Sequence, residues 1–305
     1  VVIQTAIDNA AKLKDKIFVS QGTYLLNNGL VFDSHIHLQG AGMDKTIFKL
    51  MDKAAPWWDE KGRNAGMIRG SFIKNLTITD LTLDGNKLNQ LTDEKSLYGR
   101  FGVFIEASKN ITFNKVRVQN FQGYGFDPHG YKPTMTWTEN LVITNCVSND
   151  NEWDGFTIDQ SSHVTLNNNV ALNNGRHGFN IVSGSKFVNM SNNYAENNGF
   201  STSAKNESDG EADGCGIKVQ DNFGFGTRNV NVENNIVYNS DRGGICLDGV
   251  KTVEVKNNKV IYARYCFMAF NTSNSVINDN QFMTNSTYLI ISENSIKYLN
   301  NINTT

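Results

Sequence analysis

The sequence predicts an all-β fold: a single-stranded right-handed parallel β-helix, or solenoid, with an N-terminal capping α-helix. Glycine (26 residues) and asparagine are abundant and proline (3 residues) is scarce, as in chains of many short strands joined by tight turns. A triplet of short strands recurs along most of the chain, and an amphipathic segment precedes the first triplet.

The predicted cap occupies residues 1–15. Its segment IQTAIDNAAKL places apolar residues at helical spacing. This pattern is typical of an amphipathic helix and not of a signal peptide. A helix at this place would cover the first open edge of the solenoid.

The predicted coils occupy residues 16–300. Each has a strand that usually opens with glycine, followed by two alternating strands around a polar turn. The glycine-led strands are GVFIE at 102, GFDPH at 125, GFTID at 155, GFNIV at 178, GIKVQ at 216, GICLD at 244 and CFMAF at 266. Without insertions, which fall at 130–138, 200–214 and 221–228, their starts repeat every 22 to 23 residues. Such a period is typical of a β-helix, whereas the alternative, a β-sandwich, does not require it. We therefore expect one domain over residues 1–305.

Alternation along the glycine-led strands sorts their side chains into two faces. The first and third positions after the glycine are apolar and are assigned to the core, with Pro128 among them. The second and fourth positions point outward, and their candidate site residues are Asp127, His129, Asp159, Asn180 and Lys218. Pro128 removes an N–H from the ladder between coils, and such irregularities concentrate at functional sites.

Further candidates lie just before the glycines. They are Tyr124, Asp154 and His177, with Arg176 and Arg242 one place earlier in their coils. Because successive coils stack about 4.8 Å apart, these groups are expected to share one face with the outward residues. That face has the dimensions of a groove for an extended polymer.

Charge and cysteine content exclude several classes of partner. A net charge of −2 and a pI near 6.2 give no overall attraction for nucleic acid or an anionic membrane, and no apolar run reaches the roughly 18 residues of a membrane span. Cys146, Cys215, Cys246 and Cys266 lack metal-ligand spacing. Four buried thiols are the favoured interpretation and one disulfide the alternative. We expect a monomer without a metal site.

Several motifs resemble those of the catalytic modules of the secreted mannuronan C-5 epimerases, the alginate epimerase family. They are YGFDPH at 124–129, RHGFN at 176–180, DLTLDGN at 80–86 and DGFTID at 154–159. IQTAIDNA at 3–10 and LQGAGMDKTIFKL at 38–50 resemble that module's capping helix and first coils. The resemblance runs from about residue 3 to about residue 260. It implies a right-handed parallel β-helix, an extracellular location, and inversion of C-5 in polymeric mannuronate to give guluronate.

By this resemblance, the motif residues of the family become Tyr124, Asp127, His129, Asp159, Arg176 and His177. The chain departs from the family at two positions. The family has a glutamate where this chain has Gly130, and a lysine where this chain has Asp248. Lys218 is a candidate to replace that lysine. The insertion at 200–214 is acidic. Three interpretations of it are kept: a lid, a calcium site and a solvated loop.

The implied chemistry assigns roles to these groups. Removing the C-5 proton of a uronate requires neutralisation of the adjacent carboxylate, by the charge of Arg176 or Lys218 or by Asp127 bound as a neutral acid. His129 is the candidate general base, and Tyr124 would protonate the opposite face. The candidate catalytic residues are Tyr124, Asp127, His129 and His177. The candidate substrate-binding residues are Asp154, Asp159, Arg176, Asn180, Lys218 and Arg242. This chemistry requires no cofactor, and calcium is left open.

Two other functions remain as alternatives. If the glycosidic bond breaks before reprotonation, the same site is a polyuronate lyase that acts by β-elimination. The second alternative is a non-catalytic, glycan-binding solenoid. A glycoside hydrolase is disfavoured because it needs a cluster of carboxylates around the bond that is cleaved, and the outward face offers only Asp127 and Asp159.

Overall fold

A computed structural model describes residues 2–54, 66–91, 101–201, 214–283, 287–291 and 296–304. Its only α-helix in these ranges is the N-terminal one, Val2–Leu13, whose buried residues are Ile7 and Ala10. The helix contacts strands of the first coils, and the predicted capping helix is therefore present. No helix in the described part of the chain is long and apolar enough to cross a membrane.

The glycine-led strands stack in parallel as the first sheet. Its described strands are Leu30–Val31, Gly66–Ser71, Phe101–Glu106, Phe126–His129, Phe156–Asp159, Phe179–Val182, Cys215–Gln220, Gly243–Asp248, Tyr265–Phe270 and Thr287–Ile291.

The other strands of each coil also pair in parallel with the coil before and after. The second stack comprises Lys16–Phe18, Ile36–Gln39, Lys74–Asp84, Lys109–Gln119, Thr138–Thr144, Ser161–Asn167, Lys186–Ser191, Arg228–Glu233, Lys251–Lys256, Ser275–Asn278 and Ile296–Leu299. The third stack comprises Gly22–Leu26, Thr46–Leu50, Val147–Asn149, Val170–Leu172, Tyr194–Glu196, Ile236–Tyr238, Lys259–Ile261, Gln281–Met283 and Ile302–Thr304. The long strands Lys74–Asp84 and Lys109–Gln119 belong to both stacks. Short 3₁₀ helices lie at Lys87–Asn89 and Lys132–Thr134. The parallel β-helix prediction is confirmed.

The core follows the predicted alternation. The first residues after the opening glycines are almost wholly buried: Val103, Phe126, Phe156, Phe179, Ile217, Ile245 and Phe267. The rings of Phe126 and Phe156 stack at 4.9 Å, and those of Phe156 and Phe179 at 4.8 Å, which matches the spacing of hydrogen-bonded strands. The same column therefore packs continuously through the middle coils.

Asparagines bond one coil to the next at the turns. The longest buried ladder consists of Asn169, Asn193, Asn235, Asn258, Asn280 and Asn301, each amide donating to the carbonyl oxygen of the next. Other turn asparagines have positive φ, as at Asn168 (56°) and Asn192 (57°), a region that asparagine tolerates. In each repeated NN pair, the first asparagine adopts the left-handed backbone angles of the turn and the second forms the buried hydrogen bonds to the next coil.

The preference for four buried thiols is wrong at two positions. Cys215 and Cys246 form a disulfide, with Cα atoms 6.5 Å apart, while Cys146 and Cys266 are free and buried. Cys215 lies opposite Gly243 in the next strand, and a Cβ at Gly243 would clash with the sulfur of Cys246. Stacking of coils brings together two cysteines that are 31 residues apart in sequence.

The acidic insertion at 200–214 lies mostly outside the described residues, which omit 202–213. Its assignment as lid, calcium site or solvated loop therefore stays open.

Candidate functional site

A groove of about 590 Å³ lies over the outer face of the first sheet. Its lining residues are Phe101, Phe104, Glu106, Tyr124, Asp127, His129, Lys132, Trp153, Thr157, Asp159, Arg176, Asn180, Val182, Ser183, Gln220, Asn222 and Phe223. Six of the ten predicted site residues are among them. The outward direction of Asp127 and His129 is as predicted, but Asp127 and Asn180 are only 3% and 2% exposed, since the groove walls rise beside them.

The strand that carries Asp127 and His129 is paired unevenly. Phe126–His129 is in register with the preceding strand at four positions but with the following strand only at Phe126 opposite Phe156. Pro128 packs inward and has no N–H for the ladder. The ladder is thus interrupted where His129 and Asp159 face each other across neighbouring coils.

Two carboxylates flank the imidazole of His129. The Nδ1 atom lies 3.2 Å from Oδ2 of Asp159 and 3.8 Å from Oδ1 of Asp127. Burial opposes protonation of the ring, but Asp127 and Asp159 outweigh it and raise the pKa of His129 to about 9. Burial also raises the pKa of Asp127, although His129 counteracts this. The free site therefore holds an imidazolium at neutral pH.

Asp154 is the buried centre of a second cluster. It accepts hydrogen bonds from Nε (2.6 Å) and Nη2 (2.7 Å) of Arg176, from Thr157 (2.9 Å), from Asn180 (2.9 Å) and from the backbone N–H of His177 (3.0 Å). Burial works against its ionisation, but the charge of Arg176 and these hydrogen bonds hold the pKa of Asp154 well below its usual range. Arg176 is therefore already paired, and Asp154 fixes the groove wall rather than lining it.

Tyr124 is held by the same arginine. Nη2 of Arg176 donates to its hydroxyl oxygen at 3.0 Å, and its ring contacts those of Trp153 and Phe101 at centroid distances of 4.8 and 5.0 Å. Burial raises the pKa of the phenol despite the nearby charge of Arg176. The hydroxyl is thus protonated and oriented toward the groove it lines.

His177 lies behind the groove rather than in it. Its side chain is fully buried, and its Nδ1 accepts a hydrogen bond from the backbone N–H of Cys215 at 3.1 Å. The structure does not bring its ring to the groove lining, so it stays a predicted catalytic residue without a demonstrated route to a substrate.

Lys218 and Arg242 lie in a separate, smaller cavity of about 80 Å³. Asp248, Phe270, Leu247, Met268 and the Cys215–Cys246 disulfide complete its lining. Lys218 is next to Asn180 in the sheet register, on the strand Cys215–Gln220, whose Gln220 lines the groove. The suggestion that Lys218 replaces the family's lysine stays a prediction.

Several groove residues were not among the candidates predicted from the sequence, chiefly Lys132, Trp153, Glu106 and Phe223. Lys132 and Phe223 lie in the insertions at 130–138 and 221–228, and an insertion directly after His129 was the available signal. Among the described residues, no group of three metal-ligating side chains has the geometry to hold a metal ion.

The geometry agrees with the comparison to protein families. The family described as "Right handed beta helix region" matches residues 61–193 and 182–282. The chain belongs to the right-handed β-helix family. The chain is 37% identical over 212 residues to mannuronan C5-epimerase AlgE2 of Azotobacter vinelandii, an alignment that covers 65% of this chain and 20% of that protein. It is also 37% identical over 199 residues to alginate lyase 7 of the same organism, covering 60% of this chain and 21% of that protein.

A solved structure extends the likeness to nearly the whole chain. The A-module of Azotobacter vinelandii mannuronan C-5 epimerase AlgE4 superposes with a TM-score of 0.75 at 25% identity, covering 99% of this chain and 90% of the module. The chain thus spans about a fifth of the curated relatives' length but most of one module. The resemblance to the mannuronan C-5 epimerases is confirmed.

Proposed function

We propose that this chain is the catalytic module of an alginate-modifying enzyme that inverts C-5 of β-D-mannuronate units to α-L-guluronate within the polymer. One observation carries the proposal. Tyr124 and His129 line the same groove, and the carboxylates of Asp127 and Asp159 in that groove face the imidazole of His129. The similarity to AlgE2 and to the AlgE4 A-module supports the substrate class.

The proposed reaction uses the two proton-transfer groups in sequence. Neutral His129 removes the C-5 proton, and the negative charge spreads onto the adjacent carboxylate. Tyr124 then gives its proton to C-5 from the other face, and the sugar is inverted. The carboxylate of Asp127 lies 3.8 Å from the imidazole and stabilises the imidazolium that forms when His129 takes up this proton.

The raised pKa of His129 adds a condition to this scheme. At neutral pH the imidazole carries a proton in the free protein, because two carboxylates face it. The base is active only in the fraction of molecules that has lost this proton, and Asp159 tunes that fraction.

A lyase is the second candidate, because alginate lyase 7 is as similar to this chain as the epimerase AlgE2 is. In that reaction the same C-5 proton leaves, but the pair of electrons expels the glycosidic oxygen, and Tyr124 protonates that oxygen instead of carbon. The two reactions share the removal of the C-5 proton and differ in the next step: either C-5 is protonated, or the glycosidic bond breaks and its oxygen is protonated.

A time course on polymannuronate tests the proposal. Proton NMR is expected to show growing guluronate signals with little increase in the ultraviolet absorbance of unsaturated chain ends. Rising absorbance without guluronate would favour the lyase. An unchanged spectrum and absorbance with folded protein would favour a glycan-binding solenoid.

We further propose an extracellular location and an anionic polysaccharide partner, with the chain acting as a monomer and without nucleic acid or membrane binding. Secretion experiments and sedimentation test the location and the monomeric state.

A further inference from the structure

The groove presents more negative than available positive charge to its ligand. Its acidic residues are Glu106, Asp127 and Asp159, and apart from His129 its basic residues are Lys132 and Arg176. Arg176 is engaged in two hydrogen bonds by Asp154, and His129 faces two carboxylates. An anionic ligand in this groove therefore needs a further cation.

Lys132 is positioned to supply that cation. It begins the 3₁₀ helix Lys132–Thr134, directly after the strand that carries His129. Its Nζ lies 4.2 Å from the ring centroid of Phe223, on the opposite insertion. It forms no ion pair among the residues that the structure describes. A cation–π contact does not neutralise the ammonium, because the aromatic ring carries no net charge.

The loop that carries Lys132 is fixed at both ends. The backbone N–H of Tyr131 donates to Thr136 at 2.8 Å, and Nε1 of Trp137 donates to the carbonyl oxygen of Gly184 at 3.1 Å. Phe223 is 56% exposed, so the pair offers a flat apolar surface beside an ammonium group. A uronate sugar has the complementary features, a ring face and a carboxylate.

The charge of Lys132 also reaches the proposed base. It is one of the influences on His129, where it opposes the two carboxylates and lowers the imidazole pKa. Lys132 therefore lies within electrostatic range of the reacting unit rather than at a remote sugar.

We propose that Lys132, held on Phe223, binds the carboxylate of the reacting uronate unit and neutralises the charge that builds up there when C-5 is deprotonated. This inference rests on the proposed function and deepens it. Lys132 takes the role that the sequence suggested for Arg176 or Lys218. Arg176 is paired with Asp154, and Lys218 lies in another cavity.

The test compares Lys132→Gln, Lys132→Arg and a matched control, Lys186→Gln. Lys186 makes a similar contact with an aromatic ring, with Nζ 4.4 Å from the centroid of Trp137, but is outside the groove lining. Because a hydrogen bond to a charged group contributes about 1.5 to 3 kcal/mol, Lys132→Gln is expected to lower kcat/KM on polymannuronate by about 10- to 100-fold. Lys132→Arg is expected to retain most activity, and Lys186→Gln all of it.

Binding measurements by calorimetry complete the test. The wild type is expected to prefer an oligomannuronate over a neutral mannan oligosaccharide of the same length, and Lys132→Gln is expected to lose about 10- to 100-fold of that preference. Equal preference and equal kcat/KM in wild type and Lys132→Gln would overturn the role of Lys132 and leave the proposed function standing. A wild type that neither binds nor converts the charged ligand would overturn both.

Discussion

Nδ1 of His129 lies 3.2 Å from Oδ2 of Asp159, a residue from the next coil of the solenoid. The pair joins two neighbouring strands at the point where Pro128 interrupts their ladder. Because Asp159 raises the pKa of His129 together with Asp127, the proton affinity of the proposed base depends on how two coils stack.

The pH dependence of kcat/KM should report this pair. A base with a pKa of about 9 is active when deprotonated, so kcat/KM is expected to rise with pH up to about 9 and then level. Asp159→Asn removes one of the charges that raise this pKa, so the rise should move to lower pH. Glu254→Gln is the matched control. Glu254 is exposed on another strand, so this change should leave the pH profile unchanged. A kcat/KM that falls over this pH range would instead assign the imidazolium the role of acid.

Tyr124→Phe should remove the second proton transfer while keeping the fold. The ring contacts with Trp153 and Phe101 are retained by phenylalanine, whereas the hydroxyl that Arg176 binds is lost. A positioned acid or base contributes about 10²- to 10⁴-fold, and kcat should fall within that range. Tyr131→Phe is the matched control, because Tyr131 packs on Phe72 and does not line the groove. Full activity in Tyr124→Phe would exclude the phenol as proton donor.

Most of the fold could be predicted from sequence because a solenoid repeats its pattern. The alternation that assigned Phe126, Phe156 and Phe179 to the core needs only the short-range geometry of a strand, and the asparagine turns follow from the left-handed angles that asparagine tolerates.

The candidate site was predicted only where the repeat determines it. Tyr124, Asp127 and His129 come from one coil, and their common groove follows from the strand pattern. The partners of Asp154, the buried position of His177 and the place of Lys218 in a second cavity depend on contacts between coils and loops. The Cys215–Cys246 disulfide depends on the same stacking, which no local pattern reveals.

Asp154→Ala should strongly destabilise the protein. It would leave Arg176, Thr157 and Asn180 without their shared acceptor, and breaking a buried ion pair lowers the free energy of unfolding by about 3 to 5 kcal/mol. Asp44→Ala is the matched control, because its pair with Arg117 is largely exposed and is expected to contribute at most about 1 kcal/mol. Urea unfolding measures both.

The same carboxylate predicts a pH dependence of stability. Since the folded pKa of Asp154 is depressed, its stabilisation is fully present above the unfolded pKa of about 4. It should be lost as pH falls through the folded value. At neutral pH, Asp154→Ala should therefore lower the free energy of unfolding more than Asp44→Ala does. In strong acid the two losses should become similar. Equal effects at neutral pH would contradict the assignment of Asp154 as the buried centre.

Asn193→Ala should test the internal ladder. The amide of Asn193 donates to the carbonyl oxygens of Leu166 and Asn235, both at 3.0 Å, and its oxygen accepts from Asn169. Buried groups left without partners cost about 1 to 3 kcal/mol each, so the free energy of unfolding should fall by about 3 kcal/mol. Asn189→Ala, at an exposed position of the preceding strand Lys186–Ser191, should change it by less than about 0.5 kcal/mol. Similar losses in the two variants would indicate that the ladder contributes little.

The most direct test of the central claim is to run the reaction on polymannuronate in D₂O and follow C-5 by NMR. Abstraction by His129 and return of a solvent-equilibrated proton from Tyr124 predict that each new guluronate unit carries deuterium at C-5, with the polymer intact. Guluronate that forms without deuterium at C-5, or shortened chains with unsaturated ends in its place, would contradict the account.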